Sequence, residues 1–241
     1  MKKKVRISDA AKILKVSTQT LRNWDNSGKY RSKRSKGGQR YYDLEELKRY
    51  ALDIQQLGFI WATSSMPPEL PSEYFCERPD RFTSRSAKMG SALLNSPESV
   101  SMDFASLLTL IASEIGDNSF VHNIGNWPDV QGVFFAYDIV KRVIVLADRG
   151  RGVKATLQHV CPAIHNDTVA LHVAFTEIIS GRYPEKRGNG LKVVRKIAEK
   201  ERIGLSFHSG IGLVTIPKAP GSMHIAMADQ NVRGTFAVIM F

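Results

Sequence analysis

The positive charge of this chain is gathered at one end, which limits it to architectures with at least two chemically different parts. Residues 1–50 carry 15 Lys and Arg against 5 Asp and Glu, whereas the other 191 residues carry 19 against 18. So concentrated a field suits a polyanion, either nucleic acid or an anionic membrane. The membrane is the poorer match. The first 50 residues lack a long apolar face, and no apolar run reaches the roughly 18–20 residues needed to span a bilayer. Lys2, Lys3 and Lys4 lead into Val5-Arg6-Ile7-Ser8-Asp9 rather than an apolar stretch, so no secretory signal and a cytoplasmic location are expected. Two cysteines, Cys76 and Cys161, make no disulfide framework and agree with a reducing compartment.

At 241 residues, with 43% hydrophobic and 24% charged side chains, the chain has material for one or two globular domains. Composition divides it into a basic head over residues 1–57, a connector over 58–100 and a body over 101–241. The connector holds Pro67, Pro68, Pro71, Pro79 and Pro97 and many serines, so it is expected to be a linker sparse in regular structure, with one short packed piece around Tyr74-Phe75 and Phe82.

In the head, Ser8 and Ser17 each precede a short stretch of helical spacing, as N-caps do, and Lys15-Val16 makes a tight turn between the two helices. In the second helix Thr20, Leu21 and Trp24 fall on one side. Thr18, Gln19, Arg22 and Asn23 fall on the other, where their side chains can donate hydrogen bonds to base edges or phosphates. Gly28 supplies the residue that ends the helix. From Lys29 to Tyr42, Gly37-Gly38 lies between basic flanks that include Lys36 and Arg40, the composition of a hairpin wing touching phosphates. A basic helical adaptor for protein or RNA is the other reading of the same charge.

Ala10-Ala11, Val16-Ser17, Thr20-Leu21-Arg22-Asn23-Trp24, Gly28 and Gly37-Gly38-Gln39-Arg40-Tyr41 lie in the order of the MerR-type winged helix-turn-helix, and residues 5–50 resemble that family. The resemblance implies binding to double-stranded DNA as a homodimer on a two-fold symmetric site, with Thr18, Gln19, Arg22, Asn23, Lys36 and Arg40 as contact residues. The long dimerisation helix of effector-sensing members is missing, because Leu44 to Leu57 is too short for a stable coiled coil.

In the body, Met102 to about Asn123 reads as an amphipathic helix with Phe104, Leu107, Leu108, Ile111 and Ile115 as its apolar stripe. Glu114, Asn118 and His122 recur every fourth residue, so they either share a cleft or form a solvated face. Val130–Tyr137 and Arg142–Ala147 read as a hairpin running into Asp148-Arg149-Gly150-Arg151-Gly152. An Asp there can accept a hydrogen bond from an exocyclic amine while bare glycine backbone lets a flat base approach. Gly188-Asn189-Gly190-Leu191 opens a helix over 192–199, whose free N–H groups suit phosphate. Strands are expected at Leu205–His208 and Leu213–Ile216, and a last one after Gly234-Thr235-Phe236. His159, Cys161 and His165 offer three metal ligands without a fourth.

These boxes, in this order over residues 100–241, resemble the ATP-binding Bergerat fold of the GHKL superfamily of topoisomerases, chaperones, histidine kinases and mismatch-repair ATPases. By that resemblance Asn118 would coordinate Mg²⁺, Asp148 would bind the adenine amine, Gly150 and Gly152 would line the base, and Gly188, Gly190 and Leu191 would meet the phosphates. Thr235 would sit near the adenine, and Lys186 or Arg187 in a mobile lid over 153–187 would reach the terminal phosphate. Glu114 matches the general base of hydrolysing members. The implied whole is α+β: a small all-helical winged helix-turn-helix head, then a Bergerat-type sandwich of a mixed, mainly antiparallel sheet covered by helices on one face. No His lies between residue 1 and His122 to accept phosphate, and a transducer domain like that of topoisomerases and chaperones is not expected. Three functions are therefore carried forward: a DNA-binding regulator switched by ATP and Mg²⁺, a slow ATP hydrolase using Glu114, and an anti-sigma-type Ser/Thr kinase acting on a protein partner.

Overall fold

The computed structural model describes residues 3–14, 16–27, 30–35, 37–51, 53–96, 99–177 and 190–241. The chain forms two compact units, Met1–Asp53 and Ile54–Phe241. The division falls earlier than the end of the head expected at residue 57.

The first unit contains β1 (Lys4–Arg6), α1 (Ile7–Ile13), α2 (Thr18–Ser27), β2 (Lys33–Arg34), β3 (Arg40–Asp43) and α3 (Leu44–Ala51). It is not all-helical as expected. The strands pair antiparallel in the order β1-β3-β2, with Val5 opposite Tyr42 and Lys33 opposite Tyr41. Val5, Ala10, Ala11, Leu21, Tyr42 and Leu47 form its core. Ser17 caps α2, its Oγ accepting from the Thr20 N–H at 2.9 Å. Ser8 is no cap, because α1 starts one residue before it and Arg6 holds the N-cap position. Asp43 starts α3 by accepting from the Glu45 and Glu46 N–H groups at 3.0 and 3.3 Å. Gly28 lies outside the described residues.

The second unit begins with α4 (Ile54–Thr63), β4 (Phe75–Cys76) and α5 (Pro79–Asn95). The connector is therefore not sparse in structure. Its prolines punctuate the elements: Pro67, Pro68 and Pro71 lie between α4 and β4, and Pro79 opens α5, where a missing N–H costs nothing. Then follow α6 (Met102–Asn123), β5 (Val133–Asp138), β6 (Val143–Asp148), α7 (Gly152–Gln158), α8 (Asp167–Thr176), α9 (Gly190–Glu201), β7 (Gly204–Ile216) and β8 (His224–Met240). Ser101 caps α6 by accepting from the Phe104 N–H at 3.2 Å. The two short strands expected around 205–208 and 213–216 are one strand, β7, whose register shifts at Gly210.

The sheet order is β4-β5-β6-β8-β7, and every pairing in it is antiparallel. Alternation along the strands gives it two apolar faces. Val133, Phe135, Ile144, Leu146, Ala237 and Ile239 share one core with residues of α5, α6, α8 and α9. Phe134, Ala136, Val145, Ala147, Phe236 and Val238 pack with Ile54, Trp61 and Ala62 of α4 on the other. Helices thus cover both faces, not one. The expected lid holds α7 and α8, which share a small core of Leu157, Ile164, Ala170 and Val173. Asp167 of α8 accepts from the Ile211 N–H of β7 at 3.1 Å.

α5 crosses α6 closely enough that Gly116 meets the Phe82 ring, and a methyl group at that glycine would lie 2.1 Å from the ring. Phe82 is fully buried. Gly116→Ala would add helix propensity of about 1 kcal/mol. Overpacking outweighs that gain, with a net loss of stability of about 1–2 kcal/mol expected. Urea unfolding of the intact chain measures it.

Candidate nucleic-acid interface and buried carboxylate site

In the head, α2 turns Leu21 fully inward and packs Trp24 on the core, while Gln19, Arg22 and Asn23 are exposed and Thr18 is half-buried. The outward residues form a row. Gln19 Nε2 donates to Asn23 Oδ1 at 3.1 Å, and Arg22 Nη1 donates to Gln19 Oε1 at 3.3 Å. A row of amides and a guanidinium on an exposed helix can exchange these weak mutual bonds for contacts with bases or phosphates.

Arg40 has a different setting from the one expected of a phosphate contact. Its Nε lies 2.6 Å from Asp25 Oδ2, and its Nη2 donates to Asn26 Oδ1 at 3.3 Å. Arg34 Nη2 also reaches Asp25 Oδ2 at 3.0 Å, and the Ser32 N–H donates to Asp25 Oδ1 at 2.7 Å. Asp25 of α2 thus gathers the whole β2–β3 hairpin, and Arg40 positions the wing. Lys33 fastens it again, 3.0 Å from Glu46 of α3. Lys36 lies outside the described residues.

In the second unit, Asp148 ends β6 at 1% exposure. Its Oδ2 accepts from Ser119 Oγ of α6 at 2.8 Å and from Thr235 Oγ1 of β8 at 2.5 Å. The Gly150 N–H donates to Oδ1 at 2.8 Å. Burial pushes this carboxyl above the usual aspartate range, and the bonds from Thr235, Ser119 and Gly150 pull it back. Asn123, also buried, fixes the turn that follows: its Oδ1 accepts from the Arg151 N–H at 2.9 Å and its Nδ2 donates to the Ser119 carbonyl at 2.7 Å.

On the side where a Cβ would project, the glycines of this turn meet protein atoms. A methyl at Gly150 would fall 2.1 Å from the Asn123 amide, and one at Gly152 would fall 2.9 Å from Ser209 Oγ. Gly152 also has φ 77°, which disfavours a side chain. A side chain at either position would displace Asn123 or Ser209.

Five residues earlier on α6, Glu114 and Asn118 face the start of α9. A methyl at Gly190 would lie 2.5 Å from Glu114 Oε2 and 3.3 Å from Asn118 Nδ2. Leu191 instead packs against the apolar core. Lys186, Arg187 and Gly188 lie outside the described residues. So α6 brings together Glu114, Asn118 and Gly190 at one level and Asp148, Thr235 and Gly150 at the next. Ser119 and Asn123, which sequence reasoning passed over, join the second group. Asn118 and Glu114 offer oxygen ligands of the hard kind Mg²⁺ takes. Among the described residues no group of three or more His, Cys, Asp or Glu is placed to hold a metal, so a cation here would need oxygens from a ligand.

A third group was also missed. Arg149, next to Asp148, is fully buried on the α4 side of the sheet. Its Nε donates to Asp129 Oδ2 at 2.9 Å, its Nη2 to Asp129 and to the Ser64 carbonyl at 2.9 Å, and its Nη1 to the Trp61 carbonyl.

Asp25 yields a pH prediction. Burial works to raise its pKa, but the Ser32 N–H and Arg40 outweigh that and hold it at about 2. A lowered folded pKa contributes stability above the ordinary aspartate range and loses it as pH falls toward 2. The head is expected to lose about 1–2 kcal/mol between pH 4 and 2. Asp25→Asn should flatten that dependence while lowering stability at neutral pH, as followed by Trp24 fluorescence with Trp61 and Trp127 replaced by Phe in both proteins.

Residues 6–42 match the family model of the MerR family regulatory proteins. No curated protein and no solved structure matches the chain. Among the described residues no helix is long and apolar enough to cross a membrane. The N-terminal unit thus carries a MerR-type domain, which points to DNA-binding transcription regulation.

Proposed function

We propose that the chain is a DNA-binding regulator whose second unit binds ATP with Mg²⁺ and uses it to control the MerR-type head. One observation carries the nucleotide half. Asp148, Ser119 and Thr235, from three separate segments, converge on one dry carboxylate, and the same helix presents Glu114 and Asn118 to Gly190. Asp148 accepts the 6-amine of adenine. The Ser119 and Thr235 hydroxyls that donate to it keep lone pairs of their own, so the trio offers acceptors to an amine and rejects a carbonyl. Asn118 would offer its amide oxygen to Mg²⁺, which would offset phosphate charge, and α9 begins at Gly190 beside Asn118, so its free N–H groups would be available to phosphate.

A GHKL-type assignment of residues 101–241 belongs to this proposal and rests on the same residues. Slow hydrolysis is a second reading, favoured by the Glu114 carboxylate against Gly190. There Glu114 would take a proton from water as its oxygen bonds to the γ-phosphorus and the bond to the departing ADP oxygen breaks, and Glu114→Ala should lower turnover by roughly 10²–10⁴ with nucleotide still bound. Phosphate transfer to a protein partner would be the outcome if label moves to protein rather than water.

Coupling between nucleotide and DNA of about 1–3 kcal/mol makes a useful switch. Saturating ATP·Mg, at about 100 times Kd, should stabilise the second unit by roughly 2.7 kcal/mol in a thermal-unfolding experiment, and Asn118→Ala should abolish the Mg²⁺ dependence. Affinity for double-stranded DNA, measured at fixed salt with and without ATP·Mg, should differ by about five- to 150-fold. Equal affinities would remove the switch, and the absence of any thermal shift would remove the nucleotide.

A further inference from the structure

Asp148 and Arg149 are consecutive, and at the end of β6 they point to opposite faces of the sheet. Asp148 meets Ser119 of α6, while Arg149 lies against Trp61 of α4, its guanidinium 5.7 Å from the centre of that ring. A fully buried arginine is costly unless its donors are met, and here each of its three nitrogens has an acceptor. Nε and Nη2 fork onto Asp129, while Nη1 and Nη2 reach the Trp61 and Ser64 carbonyls. Those carbonyls lie in the last turn of α4 and at the residue just after it, where acceptors lack a partner within the helix and a cation is favourable. Asp129 is itself held by Arg233 Nη1 at 3.3 Å, one residue before Gly234 and two before Thr235, the second hydroxyl donor to Asp148.

The backbone on both sides of the carboxylate is thus tied down from the far face. Arg149 fixes the residue after Asp148, and Arg233 fixes the approach to Thr235, both through Asp129. A methyl at Gly234 would lie 2.2 Å from Asp148 Oδ1, so a small shift of either strand end reaches the carboxylate directly.

We propose that Arg149 is a positioning residue for base recognition: through Asp129 and the end of α4 it holds Asp148 and Thr235 in the register that distinguishes an adenine amine from a guanine carbonyl. Arg149 touches no nucleotide in this arrangement. The inference rests on the nucleotide reading above and adds to it the determinant of base selectivity.

The test is equilibrium binding of ATP·Mg and of GTP·Mg to the intact chain, for the parent, Arg149→Met and Asp129→Asn. The parent should favour ATP. Arg149→Met should reduce the ATP-to-GTP affinity ratio by roughly ten- to a hundredfold, and Asp129→Asn should reduce it in the same direction by less. The ratio separates positioning from plain stability, because only folded molecules bind, and a smaller folded fraction lowers both affinities equally. Should Arg149→Met fail to fold, Asp129→Asn, whose side chain is 26% exposed, decides the question alone. Variants that bind nucleotide with the parent's ratio overturn the positioning role and leave the nucleotide reading intact. A parent that binds neither nucleotide, or both alike, overturns that reading and this inference together.

Discussion

Placing the Asp148 carboxylate in a dry interior is the constraint around which the second unit is arranged. A buried carboxylate must collect donors or give up its charge. Here the donors come from residues 119, 150 and 235, so α6, the turn after β6 and β8 have to meet at one point. The packing obeys that requirement. Asn123 lies over Gly150, Gly234 presses on Asp148, and Ser209 fills the space at Gly152. Substituting any of these glycines displaces a polar contact as well as a side chain.

The sheet works as a partition between two kinds of polar site. Toward α6 it holds a carboxylate with hydroxyl and amide donors; toward α4 it holds a guanidinium with a carboxylate and carbonyl acceptors. Neighbouring residues of one strand end belong to both, so neither side is independent of the other. In the head the same chemistry appears in a more exposed form, where Asp25 gathers Arg34, Arg40 and the Ser32 N–H to fix the wing against α2.

Features set by local rules were legible in the sequence. The outward row on α2, the Ser17 cap, the α6 helix and the β5–β6 hairpin each follow from spacing or capping over a few residues. Asp148 was also legible, as an acid at a strand end before glycines. Its partners were not. Ser119 and Asn123 are ordinary polar residues of a helix until the fold sets them beside the 148–152 turn, although their i, i+4 spacing does put them on one face. Arg149 gave no signal of its own in the sequence, because only the fold brings it the Trp61 and Ser64 carbonyls that make its burial tolerable. Proline content misrepresented 58–100, since Pro67, Pro68 and Pro71 lie between elements and Pro79 opens one, and none of them speaks of the helices themselves. The pairing of Arg40 with Asp25 was not legible, because the two lie 15 residues apart.

The proposed nucleotide site is tested most directly by amide hydrogen exchange on the intact chain, with and without ATP·Mg. Added protection is expected at 148–152 and 234–236, and in α6 around residues 114–119, with the α2 face of the head retaining its own rates in the absence of DNA. Exchange that stays unchanged across all three of those segments at millimolar ATP·Mg would contradict it.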